Sequence, residues 1–186
     1  MSNEMSTESV SPEKVRMVTY KAFSQAFAYP DENFFSVYPD LSDKKAILYQ
    51  EYDRLFRVCE IWLSGAEHLA NHDFQRVNLL SDIMGFYRAF GVEPKDDRPD
   101  SLTNELEFMH YLIFKEMRAR DVNKDREKSG LCLDAQKKFF INHLYPAAKK
   151  IAESILAATD NSFYKEMSED FLEFLEQEKI VLGGEL

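Results

Sequence analysis

Glycine and proline are scarce, at six residues each in a chain of 186. That is too few for the dense turns of a β-sandwich or barrel. Cysteine is scarcer still. Cys59 and Cys132 are the two present; they lie far apart and not in a CxxC. Both sit among apolar neighbours and read as reduced, partly buried thiols of a cytosolic protein, with a disulfide between them left open. No apolar run approaches the ~18–20 residues that span a bilayer. The opening stretch MSNEMSTESVSPEK lacks a charged-then-apolar export signal. A cytoplasmic location is therefore expected. Basic charge is also short, 23 Lys and Arg against 33 Asp and Glu, a net charge of −10. This argues against nucleic acid or anionic lipid as the main ligand, since clustered Lys and Arg bind phosphates. It favours solubility and attraction for cationic partners.

What is present is apolar and helical in period. Hydrophobic residues make up 45% of the chain and Phe alone numbers 15, so a core can form without metals or staples. Residues Met1 to Val10 read as a disordered tail, and residues 11–186 as one helical domain. Ser11 caps a first helix with Pro12 at its first position. Val15, Val18, Ala22, Phe23, Ala26 and Phe27 form its apolar face, and Pro30 ends it. PDENFFSVYP is at most a short helix. A helix from Ser42 carries Ile47, Tyr52, Leu55, Phe56, Cys59, Trp62 and Leu63 at burial spacing, with Gly65 as its stop or bend. AEHLANHD is ambiguous between loop and helical turn. From Asp73, residues Phe74, Val77, Leu80, Ile83, Met84, Tyr87 and Phe90 define another helix, closed by Gly91.

Asp100 or Ser101 caps a helix with the stripe Leu102, Leu106, Met109, Ile113 and Met117. Asp121 to Gly130 reads as a charged, mobile linker without periodicity, across which two halves could exchange between copies. A long helical segment opens at Asp134, with Phe139, Phe140, Leu144, Ala147, Ile151 and Ile155, and Pro146 should bend it. Asn161 or Ser162 caps a last helix through about Glu178. No segment alternates long enough to be a strand. The expectation is an all-α, single-domain bundle of about six or seven helices.

The sequence offers little catalytic chemistry. There is no Gly-rich phosphate loop, no GxSxG and no Cys–His spacing of a known kind, so neither enzyme activity nor a cofactor is expected. Glu107 and His110 form one Glu-x-x-His pair, and di-iron bundles need two such pairs plus further carboxylates. His68 and His72 could share a metal on a helix, but no third ligand stands out. A helical metal-binding protein using these four residues is the alternative reading.

The stretch FGVEPKDDRPDSLTNELEFMHYL, from Phe90 to Leu112, sets a proline-broken acidic loop against an apolar helix. Its plain reading is a solvated turn with a helix cap. Its sharper reading is a receptor rim whose carboxylates meet arginines while the adjacent apolar surface takes a hydrophobic segment.

GFYRAFG followed by DRPDSLTNELEFM resembles the signature of the TorD/DmsD/NarJ-type redox-enzyme maturation chaperones, through Tyr87, Phe90, Gly91, Asp97, Pro99, Asp100, Leu102, Glu105, Leu106, Phe108 and Met109. EYDRLF, QKKFFINHL and FYKEMSEDFLEFL resemble flanking segments of that family. Ser101 stands where the family has His, the loop after EYDRLF is replaced by RVCEIWLSGAEHL, and YPAAKK follows His143–Leu144 in place of an aromatic. The resemblance implies an all-helical cytoplasmic chaperone for one partner. That partner would be the catalytic subunit of a molybdopterin-dependent oxidoreductase, bound at its twin-arginine leader or apo-core during cofactor insertion and held back from export until folded. The site it implies comprises Tyr87, Phe90, Gly91, Asp97, Arg98, Pro99, Asp100, Ser101, Glu105 and Phe108. Asp97, Asp100 and Glu105 would face the arginines, and Arg98 would set register or pair internally. A monomer with a possible domain-swapped dimer is expected.

Overall fold

The computed structural model describes residues 11–94 and 98–183; the expected tail and Asp97 lie outside the described residues. The α-helices are α1 (Pro12–Ala26), α2 (Glu32–Val37), α3 (Lys45–Asp53), α4 (Gly65–Leu69), α5 (Asp73–Ala89), α6 (Leu102–Met117), α7 (Arg126–Phe139), α8 (Tyr145–Ala158) and α9 (Ser162–Val181). The described residues contain no strand, only one bridge between Ser64 and Ser101. The architecture is all-α. The helical segments exceed the expected six or seven because the short α2 and α4 stand as elements of their own.

Local signals explain most boundaries. The Ser11 hydroxyl accepts from the Lys14 N–H, Asn161 Oδ1 accepts from Phe163 and Tyr164, and Pro12 sits in the first turn. These satisfy the donors that every helix start leaves open. Asp31 does the same for α2, whose Phe34 and Phe35 are buried. Pro146 falls in the first turn of α8, and the turn before it, Phe140–Leu144, widens to π geometry. The proline's missing N–H and its ring clash are absorbed there.

Other expectations are corrected. On α1, Val15 and Val18 are exposed, while Tyr20, Ala26 and Phe27 are buried. Aromatic contacts set that face: Tyr20 meets Phe174 at 4.9 Å and Phe27 meets Phe171 at 4.9 Å, and rings bury far more area than valines. The helix through Cys59 does not reach Gly65. A π turn, Arg54–Val58, ends it, and Glu60 takes φ +52°. Cys59 and Trp62 are exposed in consequence, Ile47 is exposed on the outer face of α3, and Leu48 and Leu55 carry the core. Gly65 opens α4 instead of stopping α3. Phe74 and Val77 face solvent, leaving Ile83 and Tyr87 to anchor α5. Asp125, with its side chain accepting from the Lys128 N–H, starts α7 at Arg126, so the whole second half of the expected 121–130 linker is helix.

Helix α6 is the central element. It packs on α1 and on α7, while α8 packs on α9 and α4. Leu102, Leu106, Met109, Leu112 and Ile113 are all essentially sealed from solvent. No described helix is long and apolar enough to cross a membrane.

Candidate functional site

The connection from α5 to α6 is built to hold its two ends rigidly. Gly91 has φ +69°, its N–H reaches the Arg88 carbonyl at 3.1 Å, and the Val92 N–H reaches the Tyr87 carbonyl at 3.0 Å. That pair of bonds is a Schellman stop, which needs a left-handed residue at the glycine. The buried Tyr87 hydroxyl donates to the Pro99 carbonyl at 2.8 Å and stacks edge-on to Phe108 at 4.8 Å. Ser101 then caps α6, its hydroxyl accepting from the Asn104 N–H.

Asp100 is a fastener. Its carbonyl accepts from the Gly65 N–H at 2.8 Å, its Oδ2 accepts from the Ala66 N–H at 2.9 Å, and the Leu102 N–H donates to the Leu63 carbonyl at 2.7 Å. The carboxylate thus sits on the open donors at the start of α4, where a helix end favours negative charge. Gly65 permits the close packing of α4 on α8: a Cβ there would lie 3.2 Å from Ala147 Cβ, tighter than ordinary contact. Glu105 is 1% exposed, and its Oε1 has no hydrogen-bond partner. Burial, and then the nearby charge of Asp100, pushes its carboxyl well above the usual carboxylate range, so the fold favours its protonated form. Arg98 lies at the surface. It donates to Ser64 Oγ at 3.0 Å and pairs with Glu67 at 3.3 Å, and Arg76 holds the same carboxylate.

Tyr87, Pro99, Asp100, Glu105 and Phe108 therefore form an interior knot, not an open rim. Phe90 and Ser101 are half-buried, and Gly91 and Arg98 are exposed. The open surface beside them is a cleft of three adjoining depressions. The first, about 160 Å³, lies under Val92 and Pro94 against Tyr87, Phe108 and Tyr111. It shares Asn104 and Glu107 with a second, about 370 Å³, walled by Tyr29, Tyr52 and Ser101. Tyr29, Tyr52 and Leu63 continue into a third, about 330 Å³, beside Phe56, Arg57 and Trp62. Glu107, the carboxylate at the junction, holds the Lys21 ammonium and the Ser24 hydroxyl, the latter at 2.9 Å. At the far end, the Arg57 guanidinium lies 5.8 Å over the Tyr29 ring and pairs with Asp53 at 3.1 Å. Aromatic faces and carboxylates are the groups that take guanidinium and apolar side chains together.

Sequence reasoning missed the members of this cleft. In the sequence Tyr29 is passed over, Tyr52 and Trp62 read as core, and Glu107 reads as a metal candidate and one of the carboxylates of the acidic stretch. The signal available was the aromatic cluster around the Pro30 break. The metal reading finds its residues apart and otherwise engaged. The His110 Nδ1–H donates to the Met17 carbonyl, the His68 Nε2–H donates to the Trp62 carbonyl, and His72 Nδ1 accepts from the Gln75 N–H as the cap of α5. Among the described residues no group of three or more His, Cys, Asp or Glu is placed to hold a metal ion.

None of the curated proteins is significantly similar to the chain. Residues 25–153, running from the end of α1 into α8 and covering more than half of the chain, match the model of the family described as nitrate reductase delta subunit. The chain belongs to that family, whose members are assembly chaperones for molybdoenzymes and work with nitrate reductase-type catalytic subunits.

Proposed function

We propose that this protein is a dedicated, non-catalytic cytoplasmic chaperone for the catalytic subunit of one molybdopterin-dependent oxidoreductase. It binds that subunit's twin-arginine leader or apo-core, assists cofactor insertion and delays export until folding is complete. The observation that carries this reading is the aromatic cleft beside the family signature. Ser101, Asn104, Glu107 and Phe108, all on or next to the signature, line the same cleft as Tyr29, Tyr52 and Trp62. An apolar leader segment fits the rings. An arginine can replace Lys21 on Glu107, whose side chain retains 25% exposure.

The knot behind the cleft serves this by holding it in shape. Asp100 ties α6 to α4, and Tyr87 ties α5 to the loop end, so the cleft walls have fixed spacing before any partner arrives. Preorganised walls spare the partner the cost of ordering them.

The test is affinity capture from the native host, followed by calorimetry with the captured subunit's leader. Recovery of a molybdoenzyme catalytic subunit is expected. Glu107→Gln should weaken leader binding by about 1.5–3 kcal/mol, the worth of a charge-assisted bond, and a leader with both arginines changed to glutamine should not distinguish the variant from wild type. Capture without any such enzyme, or an unchanged affinity in folded Glu107→Gln protein, overturns respectively the partner and the site.

A further inference from the structure

The C-terminal end of α5, the end of α6 and the length of α7 enclose a second groove, about 850 Å³ in volume. Its floor is apolar: Phe86, Phe90 and the buried Cys132, with Leu131 standing 59% exposed at the edge. Its rim is cationic. Lys115 and Arg118 line the α6 side, and Lys128 and Lys138 the α7 side, against the single carboxylate Asp134. This is unexpected in a chain of net charge −10. Residues 115–138 hold eight Lys and Arg against five Asp and Glu, so the rest of the chain is more acidic still.

The cations are available. Lys128 and Lys138 pair with Asp125 at 3.0 Å and Asp134 at 2.8 Å, one turn away on the same helix, and both side chains stay more than 60% exposed. Such surface pairs contribute little and exchange readily. Arg118 is exposed.

The arrangement also selects the kind of anion. Lys128 and Lys138 are ten residues apart on one helix, about 15 Å at a helical rise of about 1.5 Å per residue. The charges are strung along two walls and do not converge on a point. The start of α7, the one nearby helix end that could hold a phosphate, is already filled by Asp125, which accepts from the Lys128 N–H at 3.0 Å. Spread cations over a continuous apolar floor match a helix that has one apolar face flanked by carboxylates. We propose that this groove is a docking site for an acidic amphipathic helix of a partner protein. It is separate from the cleft proposed for the leader and of opposite charge preference.

The test uses the full chain and a fluorescent synthetic peptide of about fifteen residues, with leucines at helical i, i+3, i+4, i+7 spacing and glutamates beside them. Controls are the same composition scrambled and the same design with lysine for glutamate. The acidic amphipathic peptide should bind at least tenfold tighter than either control. Binding should weaken with salt. The double variant Arg118→Glu, Lys128→Glu, with unchanged circular dichroism, should lose at least tenfold in affinity. On the unaltered chain, hydrogen exchange should slow across Arg126–Phe139 when peptide is added, a readout that does not depend on the variant folding. Equal binding of the scrambled peptide, an unaffected double variant, or protection confined to the Tyr29–Tyr52 cleft overturns the proposal. Tighter binding of inorganic tripolyphosphate than of the peptide also overturns it, in favour of a small-anion site.

Discussion

Glu105 is a buried carboxyl whose surroundings disfavour its charge. In the unfolded chain it ionises near pH 4.5, and in the fold burial beside Asp100 moves that point well upward. Below about pH 4.5 both states keep the proton. As pH rises beyond that, the unfolded chain releases a proton that the folded chain retains, so stability falls with rising pH toward the raised folded value. Glu105→Gln has nearly the same shape and no ionisation. Its stability relative to the parent should therefore increase as pH rises above about 4.5, read from urea midpoints at successive pH values. Parallel profiles for the two proteins would mean that Glu105 is already ionised in the fold. Asp100 belongs to the same knot but acts through its bond to the Ala66 N–H. Asp100→Ala removes that acceptor and should cost about 1–3 kcal/mol, with exchange protection lost first in α4. The sequence made both residues legible as members of a motif but not as interior groups. Acidic side chains are rarely sealed, and nothing in a linear chain shows that the residue awaiting Asp100 is a backbone donor 34 positions upstream.

At the scale of elements, the stops decide what could be read ahead. Helix ends marked by side chains with one dominant use were legible: Ser11, Gly91, Ser101, Asn161 and the Pro146 break all act where their chemistry places them. Gly91 offers a clean check. Its φ is +69° and an added Cβ would meet nothing within 4 Å, so Gly91→Ala pays only for backbone strain. A loss of about 1 kcal/mol is expected in chemical denaturation, with the helix stop retained. The stops that escaped reading lack such residues. Two chain reversals follow π turns and use Glu60 at φ +52° and Lys124 at φ +53°, positions where ordinary side chains take a conformation usually left to glycine. Missing the first carried Cys59 and Trp62 into the expected core. Missing the second stretched a short corner into a ten-residue linker. The exposed valines of α1 went astray for a different reason. Periodicity identifies that a face exists, while the partner helix decides which of two overlapping faces is buried, and here the rings of Phe171 and Phe174 did so.

For the molecule as a whole, one buried network ties the two halves of the chain together. Arg16 on α1 grips Glu178 on α9 in a bidentate pair through one guanidinium edge, Nε at 2.6 Å and Nη2 at 2.8 Å, and Tyr20 donates to the same carboxylate at 2.8 Å. Gln136 on α7 accepts from Arg16 at 3.3 Å and donates to Glu116 on α6 at 2.8 Å. These contacts, with the α6–α7 and α4–α8 packing, join residues before the Asn123–Asp125 corner to residues after it. Every one of them could form equally well between two copies, because exchange replaces identical contacts with identical contacts. What decides between the closed monomer and an exchanged dimer is then the corner itself. The corner stores strain at Lys124, whose left-handed backbone costs a non-glycine residue about 1–2 kcal/mol. In an exchanged dimer, α6 and α7 can run on as one helix and release that strain. Lys124→Gly should therefore favour the monomer, and Lys124→Val, whose branched side chain suits that φ least, should favour the dimer. Light scattering after refolding at rising protein concentration reads the difference. A dimer fraction indifferent to both substitutions, or a monomer at every concentration in the valine variant, would show that the halves do not exchange about this corner.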